Sequence, residues 1–173
     1  MRTRTEIALD IRSAIQTCEQ FRHLNDEQNQ TLLMEACVFL IKDAVKAFGL
    51  DPKKRINVFG PETMGMHMVD MITDAFHQGQ LEECEDVSTF TLKKGIRPRT
   101  FYLLVNPPAE VCGGQNLWID ETLRHADTLQ RAGIVIKQLG IKITGVAVLH
   151  YYRHLGQTVV PEQKIVSIEQ RYA

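Results

Sequence analysis

The sequence predicts a single α/β domain in which helices flank a parallel sheet. From residue 55 onward, apolar runs of strand length alternate with helical stripes, the order typical of a parallel sheet covered by helices. The length of 173 residues fits one domain, and 44% hydrophobic with 24% charged residues is a globular composition. We expect one domain over residues 1–173, with a helical segment at 5–48 and a core at 55–168.

Two helices are expected before the core. Ile7 and Ile11 begin an apolar stripe over residues 5–23. A second and better defined stripe starts after residues 25–26 and runs to Phe48, where Gly49 is suited to end a helix. These helices are expected to pack beside the sheet and to contribute to a hood or a dimer surface.

The core elements follow in alternation. Strands are predicted at 55–59, 87–92, 100–105, 117–119 and 143–149, with short edge elements at 159–160 and 165–168, and helices at 63–76 and 127–139. In parallel sheets ligands bind beyond the carboxyl ends of the strands. The loops that follow the strands are therefore the places to look for chemistry.

Charge and cysteine usage exclude several classes of protein. Lys+Arg number 20 against 21 Asp+Glu, so the chain lacks the basic excess of a general nucleic-acid binder. No apolar run is long enough to span a membrane, and the start lacks the apolar segment of a secretory signal. The four cysteines form no C-x-x-C pair, so we expect reduced thiols in a cytoplasmic protein.

Residues 60–66 connect the first core strand to a helix. Gly60 and Gly65 flank a short polar loop whose backbone N–H groups, at the start of a helix, are suited to an anion. An ordinary strand-to-helix turn explains the same residues. The loop alone does not decide between the two interpretations.

Acidic residues follow the 117–119 strand. Asp120 and Glu121 stand where carboxylates hydrogen-bond sugar hydroxyls or hold a hydrated Mg²⁺. Thr128 stands where a hydroxyl reaches a phosphate at the start of the next helix. A polar loop in which Asp127 caps that helix is the alternative.

Residues 93–99 place four cations, one glycine and one proline in a single turn. The functional interpretation is a mobile lid that brings positive charge to a departing phosphate. The alternative is a solvated cluster of charges.

In combination these segments resemble the type I phosphoribosyltransferases. Residues 114–129 are similar to the ribose-phosphate signature of that family, in which apolar strand residues and two acids precede Thr-Gly-x-Thr. Residues 138–149 resemble the helix and Gly-Val-Ala-Val strand that follow it. Residues 60–66 are similar to the pyrophosphate loop of the orotate and adenine branches, and the basic turn falls where the family has its flexible lid.

The resemblance implies transfer of a phosphoribosyl group from 5-phosphoribosyl 1-diphosphate to a nucleobase, with release of pyrophosphate. It implies Mg²⁺ as cofactor, a nucleobase or nucleotide as second ligand, and a homodimer. From charge and hydropathy, neither nucleic acid nor a membrane is expected as a partner. Asp120 and Glu121 would serve the ribose and the metal, and Lys93 and Lys94 the leaving group. The remaining substrate contacts implied are Glu62, Thr63, Met64, Gly65, Arg97, Arg99, Thr122, His125, Ala126, Asp127 and Thr128.

One departure from the family pattern affects the expected activity. Where the family has Thr-Gly-x-Thr, this chain has residues 125–128 with the sequence His-Ala-Asp-Thr. Asp127 adds negative charge beside the expected 5′-phosphate, whereas the N–H groups of the helix start remain. Two alternatives to an enzyme therefore stay open: a non-catalytic protein of the same fold that binds a nucleotide or the diphosphate sugar, and a scaffold that binds another protein through its N-terminal helices.

Overall fold

The computed structural model describes residues 2–17, 27–62, 64–95, 100–103, 105, 107–123, 127–153 and 164–172. In this part of the chain six strands form one sheet: β1 Ile56–Pro61, β2 Val87–Lys94, β3 Phe101–Leu103, β4 Gln115–Leu123, β5 Ile143–Arg153 and β6 Ile165–Tyr172. The helices are α1 Arg4–Thr17, α2 Glu27–Phe48, α3 Met64–His77 and α4 Asp127–Gln138, with a 3₁₀ turn at Ala109–Val111. The predicted fold class is confirmed.

The strands lie in the order β3-β2-β1-β4-β5-β6. The pairs β1–β2, β1–β4, β4–β5 and β5–β6 are parallel, whereas β2 and β3 form an antiparallel hairpin. The carboxyl ends of β1, β2 and β4 therefore meet at one edge of the sheet. All the loops singled out in the sequence follow or adjoin these three strands.

Helices cover both faces of the sheet. One core cluster joins α1, α2 and α3 to strand residues such as Leu117 and Ile119. The other cluster joins α4 to Trp118 and Val148, which alternate with the first set along β4 and β5. Burial on both faces explains why these strands are continuous apolar runs in the sequence. Within the described residues no helix is long and apolar enough to cross a membrane.

Glycines end two of the helices, as the sequence predicts for α2. Gly49, with φ 63°, follows α2, and the N–H of Leu50 returns to the carbonyl oxygen of Val45 at 2.9 Å. Gly140, with φ 72°, follows α4, and Ile141 returns to Ile136 at 3.1 Å. These are Schellman motifs, in which the positive φ that glycine tolerates turns the chain sharply out of the helix.

Several predicted boundaries differ from the structure. The strand predicted at 143–149 continues to Arg153, and the edge element predicted at 165–168 is the eight-residue β6. The strand predicted at 117–119 is the nine-residue β4. The edge element predicted at 159–160 and the end of the first helix, at 18–23, lie outside the described residues.

Buried amides tie the amino ends of β1 and β4 together. Asn57 donates from Nδ2 to Oδ1 of Asn116 at 2.9 Å, and Asn116 donates to the carbonyl oxygens of Val111 and Lys142, each at 3.1 Å. Since both side chains are fully buried, these bonds specify one arrangement of the strands. The network fixes the amino end of β4, whereas the candidate site lies at its carboxyl end.

Candidate active site

Close packing fixes the connection between β1 and α3. A Cβ atom on Gly65 would lie 2.2 Å from Cδ of Pro61, and one on Gly60 would lie 2.5 Å from the carbonyl oxygen of Gly65. Neither position has room for a side chain, so both glycines serve the close approach of the helix to the strand end. The backbone N–H of Glu62 donates to the carbonyl oxygen of Leu92 at 2.7 Å, which joins this connection to β2.

The Glu62 carboxylate binds the end of β2. Its Oε2 accepts a hydrogen bond from the backbone N–H of Lys94 at 2.8 Å, and its Oε1 lies 3.7 Å from Nζ of Lys93. The side chains of Glu62 and Lys93 are 32% and 30% exposed, so the pair is only partly screened by water. Three residues of the predicted pyrophosphate site are thus in direct contact.

Three residues after Glu62 were also expected to contact the substrate. Thr63 lies outside the described residues. Met64 and Gly65 begin α3 and are buried, and Met64 belongs to the core on the α1–α3 face. Their expected contact with substrate stays a prediction.

Lys93 and Lys94 lie in a strand, where the sequence predicted a turn. They pair with Tyr102 and Phe101 across the antiparallel hairpin, and the N–H of Gly95 donates to the carbonyl oxygen of Thr100 at 2.9 Å. The pairing with β3 extends β2 past the predicted end at residue 92 and fixes the backbone of both lysines. Arg97 and Arg99 lie outside the described residues, so the lid remains a prediction.

Asp120, Glu121 and Thr122 lie within β4 and not in a loop after it. Asp120 pairs with Val148 and Thr122 with His150, so β5 keeps this segment extended. In an extended strand consecutive side chains point to opposite faces. Asp120 therefore shares a face with Trp118 and α4, and Glu121 points to the other face.

The environment of Asp120 makes its carboxyl group unusually basic. The pKa of Asp120 is raised to about 7, mainly by burial and also by the nearby charge of Glu121, whereas the hydrogen bond from the Glu121 N–H and the charge of Lys94 act in the opposite direction. The N–H of Glu121 lies 2.8 Å from Oδ1 of Asp120. A carboxyl group that titrates near neutral pH accepts hydrogen bonds and, when protonated, also donates one.

The start of α4 is the expected 5′-phosphate position. Asp127 is the first residue of the helix and is exposed, and Thr128 follows it. A carboxylate in the first turn interacts favourably with the helix dipole, and the expected N-cap hydrogen bond of Asp127 stays a prediction. His125 and Ala126 lie outside the described residues.

Sequence reasoning missed a buried pair on β5 and β6. Nδ1 of His150 lies 3.0 Å from Oε2 of Glu169, and the two side chains are 4% and 6% exposed. In the register of the sheet His150 stands between Thr122 and Glu169, beside the candidate site. Polar residues inside apolar strands were the available signal, but both lie beyond the strand ends that the sequence predicted.

The structure thus brings part of the predicted site together. Glu62, Lys93 and Lys94 are in contact, and Lys94 is near enough to Asp120 to lower its pKa. Asp120 and Glu121 are neighbours in sequence but face opposite sides of the sheet. Acids and cations accordingly meet at the carboxyl ends of β1, β2 and β4, where parallel sheets bind ligands.

The comparisons with known proteins identify the fold. No protein-family model and no curated protein matches the sequence. The solved orotate phosphoribosyltransferase of Francisella tularensis matches with a TM-score of 0.52 at 19% identity, covering 73% of this chain. A hypoxanthine-guanine phosphoribosyltransferase of Bacillus anthracis matches with a TM-score of 0.52 at 12% identity, covering 82% of this chain and 78% of its own.

The chain has the fold of the type I phosphoribosyltransferases, which confirms at that level the resemblance seen in the sequence. It spans 54% of the length of the orotate phosphoribosyltransferase that it matches. At these identities the similarity shows the fold, and the activity has to be argued from the residues of this chain.

Proposed function

We propose that this protein binds 5-phosphoribosyl 1-diphosphate and transfers its phosphoribosyl group to a nucleobase. The proposal rests on one observation: charged groups meet at the carboxyl edge of a sheet of phosphoribosyltransferase fold, with Lys94 near Asp120 and Lys93 beside Glu62. Cations there would meet a diphosphate, and a carboxyl group would meet the ribose. Orotate, hypoxanthine and guanine, which appear in the names of the solved structures, are the bases to test first.

The transfer would depend on charge stabilisation. A nitrogen of the base forms a bond to C1 of the ribose while the bond from C1 to the diphosphate oxygen breaks, and pyrophosphate leaves with the electron pair. Lys93 and Lys94 would stabilise the negative charge that develops on the leaving oxygen. Asp120, whose pKa is raised to about 7, would accept from or donate to a ribose hydroxyl at neutral pH.

Mg²⁺, which the resemblance implies, fits this site through one carboxylate. Asp120 and Glu121 point to opposite faces, so they do not chelate one ion in this conformation. Among the described residues no group of three or more His, Cys, Asp or Glu is placed to hold a metal. Mg²⁺ commonly binds one or two carboxylates together with substrate phosphates, and Asp120 would hold it in that way. When bound, Mg²⁺ would neutralise charge on the diphosphate.

A second candidate is a non-catalytic protein that binds the same sugar diphosphate. Asp127 favours it, because this carboxylate begins α4 where the 5′-phosphate is expected. Such a protein would bind the ligand weakly and would not turn it over.

Calorimetric titration with Mg²⁺ and 5-phosphoribosyl 1-diphosphate tests the shared part of both candidates. Binding is expected, and the double variant Asp120→Asn, Glu121→Gln should weaken it about tenfold or more, corresponding to about 1.4 kcal/mol. Glu82→Gln, an exposed acid in the segment after α3, is the matched control and should bind like the wild type. Absence of binding in the wild type would refute both candidates.

Release of pyrophosphate in the presence of orotate, hypoxanthine or adenine separates the two candidates. Turnover with one base supports the transferase. Binding without turnover supports the non-catalytic protein.

A further inference from the structure

The strongest unexplained feature of the candidate site is that a carboxylate lies where a bound diphosphate is expected. The backbone N–H of Lys94 and the ammonium group of Lys93 together form a pair of donors for a negative oxygen. Both oxygens of Glu62 are engaged there, at 2.8 Å from the Lys94 nitrogen and 3.7 Å from Lys93 Nζ.

The backbone around Glu62 holds its carboxylate in this place. The N–H of Glu62 donates to the carbonyl oxygen of Leu92, and Pro61 pairs with Leu92 in the sheet. On the other side, Gly65 approaches Pro61 too closely for any side chain. Because the backbone is fixed, the carboxylate reaches the end of β2 without further ordering of the chain.

The contact is suited to exchange with a ligand. The Glu62 and Lys93 side chains are each about one-third exposed, and ion pairs of that kind contribute little net stability. A diphosphate offers the same two donors several negative oxygens instead of two. Water and ligand therefore reach the Glu62–Lys93 ion pair, and separating the two side chains costs little free energy.

We propose that Glu62 is an internal anion that occupies the diphosphate position in the free protein and must move aside when diphosphate binds. This inference rests on the proposed function, because it assigns a regulatory role to the same site. Glu62 is then a negative determinant of affinity and not a ligand of the substrate. It replaces the role that the family resemblance implies for this residue.

Inorganic pyrophosphate is the probe, titrated by calorimetry at constant ionic strength with and without Mg²⁺. Glu62→Gln removes the charge but keeps the shape and an oxygen that accepts from the Lys94 N–H. This variant should bind pyrophosphate about 3- to 10-fold more tightly than the wild type, with or without Mg²⁺. Glu82→Gln makes the same change in net charge after α3 and should alter the affinity less than twofold.

A double-mutant cycle tests whether Glu62 and pyrophosphate compete for the ammonium group of Lys93. Lys93→Met keeps most of the side-chain length and removes the ammonium group, so it should weaken pyrophosphate binding. In that background Glu62→Gln should tighten binding less than it does in the wild type, because the two residues interact.

The possible outcomes separate the inference from the proposed function. Equal affinities of wild type and Glu62→Gln overturn the inference and leave the proposed function standing. Weaker pyrophosphate binding by Glu62→Gln also overturns the inference, because Glu62 would then be a ligand. Weakening that occurs only with Mg²⁺ would make it a ligand of the metal. No pyrophosphate binding in either protein overturns both. If Glu62→Gln does not fold, the amide resonance of Lys94 in the wild type decides: it should shift on titration with pyrophosphate, and an unchanged resonance overturns the inference.

Discussion

Replacing Asp120 by Asn tests the electrostatics of the candidate site. Burial raises the pKa of the Asp120 carboxyl from the ordinary 3.8 to about 7 in the folded protein. The folded state therefore binds more protons than the unfolded state between about pH 4 and pH 7. The contribution of Asp120 to the free energy of unfolding should fall as pH rises through this window and should level off above it.

The size of the effect follows from the difference between the two pKa values. A difference of about three pH units corresponds to about 4 kcal/mol at the upper limit. Partial exposure of Asp120 lets water screen the charge, so we expect about 2 kcal/mol. Asn is nearly isosteric, still accepts from the N–H of Glu121, and does not titrate. The stability of Asp120→Asn relative to the wild type should therefore rise by about 2 kcal/mol between about pH 4 and pH 8.

Urea unfolding at a series of pH values, at one ionic strength, measures this difference. The wild type, Asp120→Asn and the control Glu82→Gln are compared, so that loss of one exposed carboxylate is distinguished from loss of the partly buried Asp120 carboxylate. A difference between wild type and Asp120→Asn that stays constant over the whole pH range would refute the reasoning. A stability that rises with pH relative to Asp120→Asn would show the pKa to be lowered and not raised.

Two further substitutions test the packing around the site by urea unfolding. Gly65→Ala should lower the free energy of unfolding by about 1–3 kcal/mol, because the new Cβ would lie 2.2 Å from Pro61 Cδ. The control Gly113→Ala, whose Cβ would have no atom within 4 Å, should change the free energy little. Equal effects of the two substitutions would contradict the close-packing argument. Glu169→Ala should destabilise by about 3–5 kcal/mol, because it removes the buried carboxylate 3.0 Å from His150. An effect below about 1 kcal/mol would mean that the pair is solvated in solution.

The secondary structure and fold class were accessible from the sequence because their signals are local. The spacing of Ile7 and Ile11, and the glycines at 49 and 140, depend on residues within one or two helical turns. Apolar runs such as residues 117–119 and 143–149 indicate strands buried on both faces, which in turn predicts a parallel sheet between helices. The resemblance to phosphoribosyltransferases followed from the order of these elements and their loops.

The candidate site was predictable in location but not in geometry. Asp120 and Lys94 could be assigned to the carboxyl edge of the sheet, and the structure places them there. The sequence suggested that Asp120 and Glu121 act together, because two acids adjoin. Only the pairing of β4 with β5 shows that this segment is extended, which directs the two side chains to opposite faces.

The remaining contacts of the candidate site depend on residues that are distant in the sequence. Lys93 and Lys94 belong to β2 because β3 pairs with them, and Glu62 reaches them from 31 and 32 residues away because β1 and β2 are neighbours in the sheet. The pairing of His150 with Glu169 depends in the same way on the register of β5 and β6. Hydrophobic periodicity reports the face that each residue presents to the core, but it carries no information on which strand will lie beside it. Contacts between charged groups, and the burial that sets their pKa values, exist only once the sheet has formed.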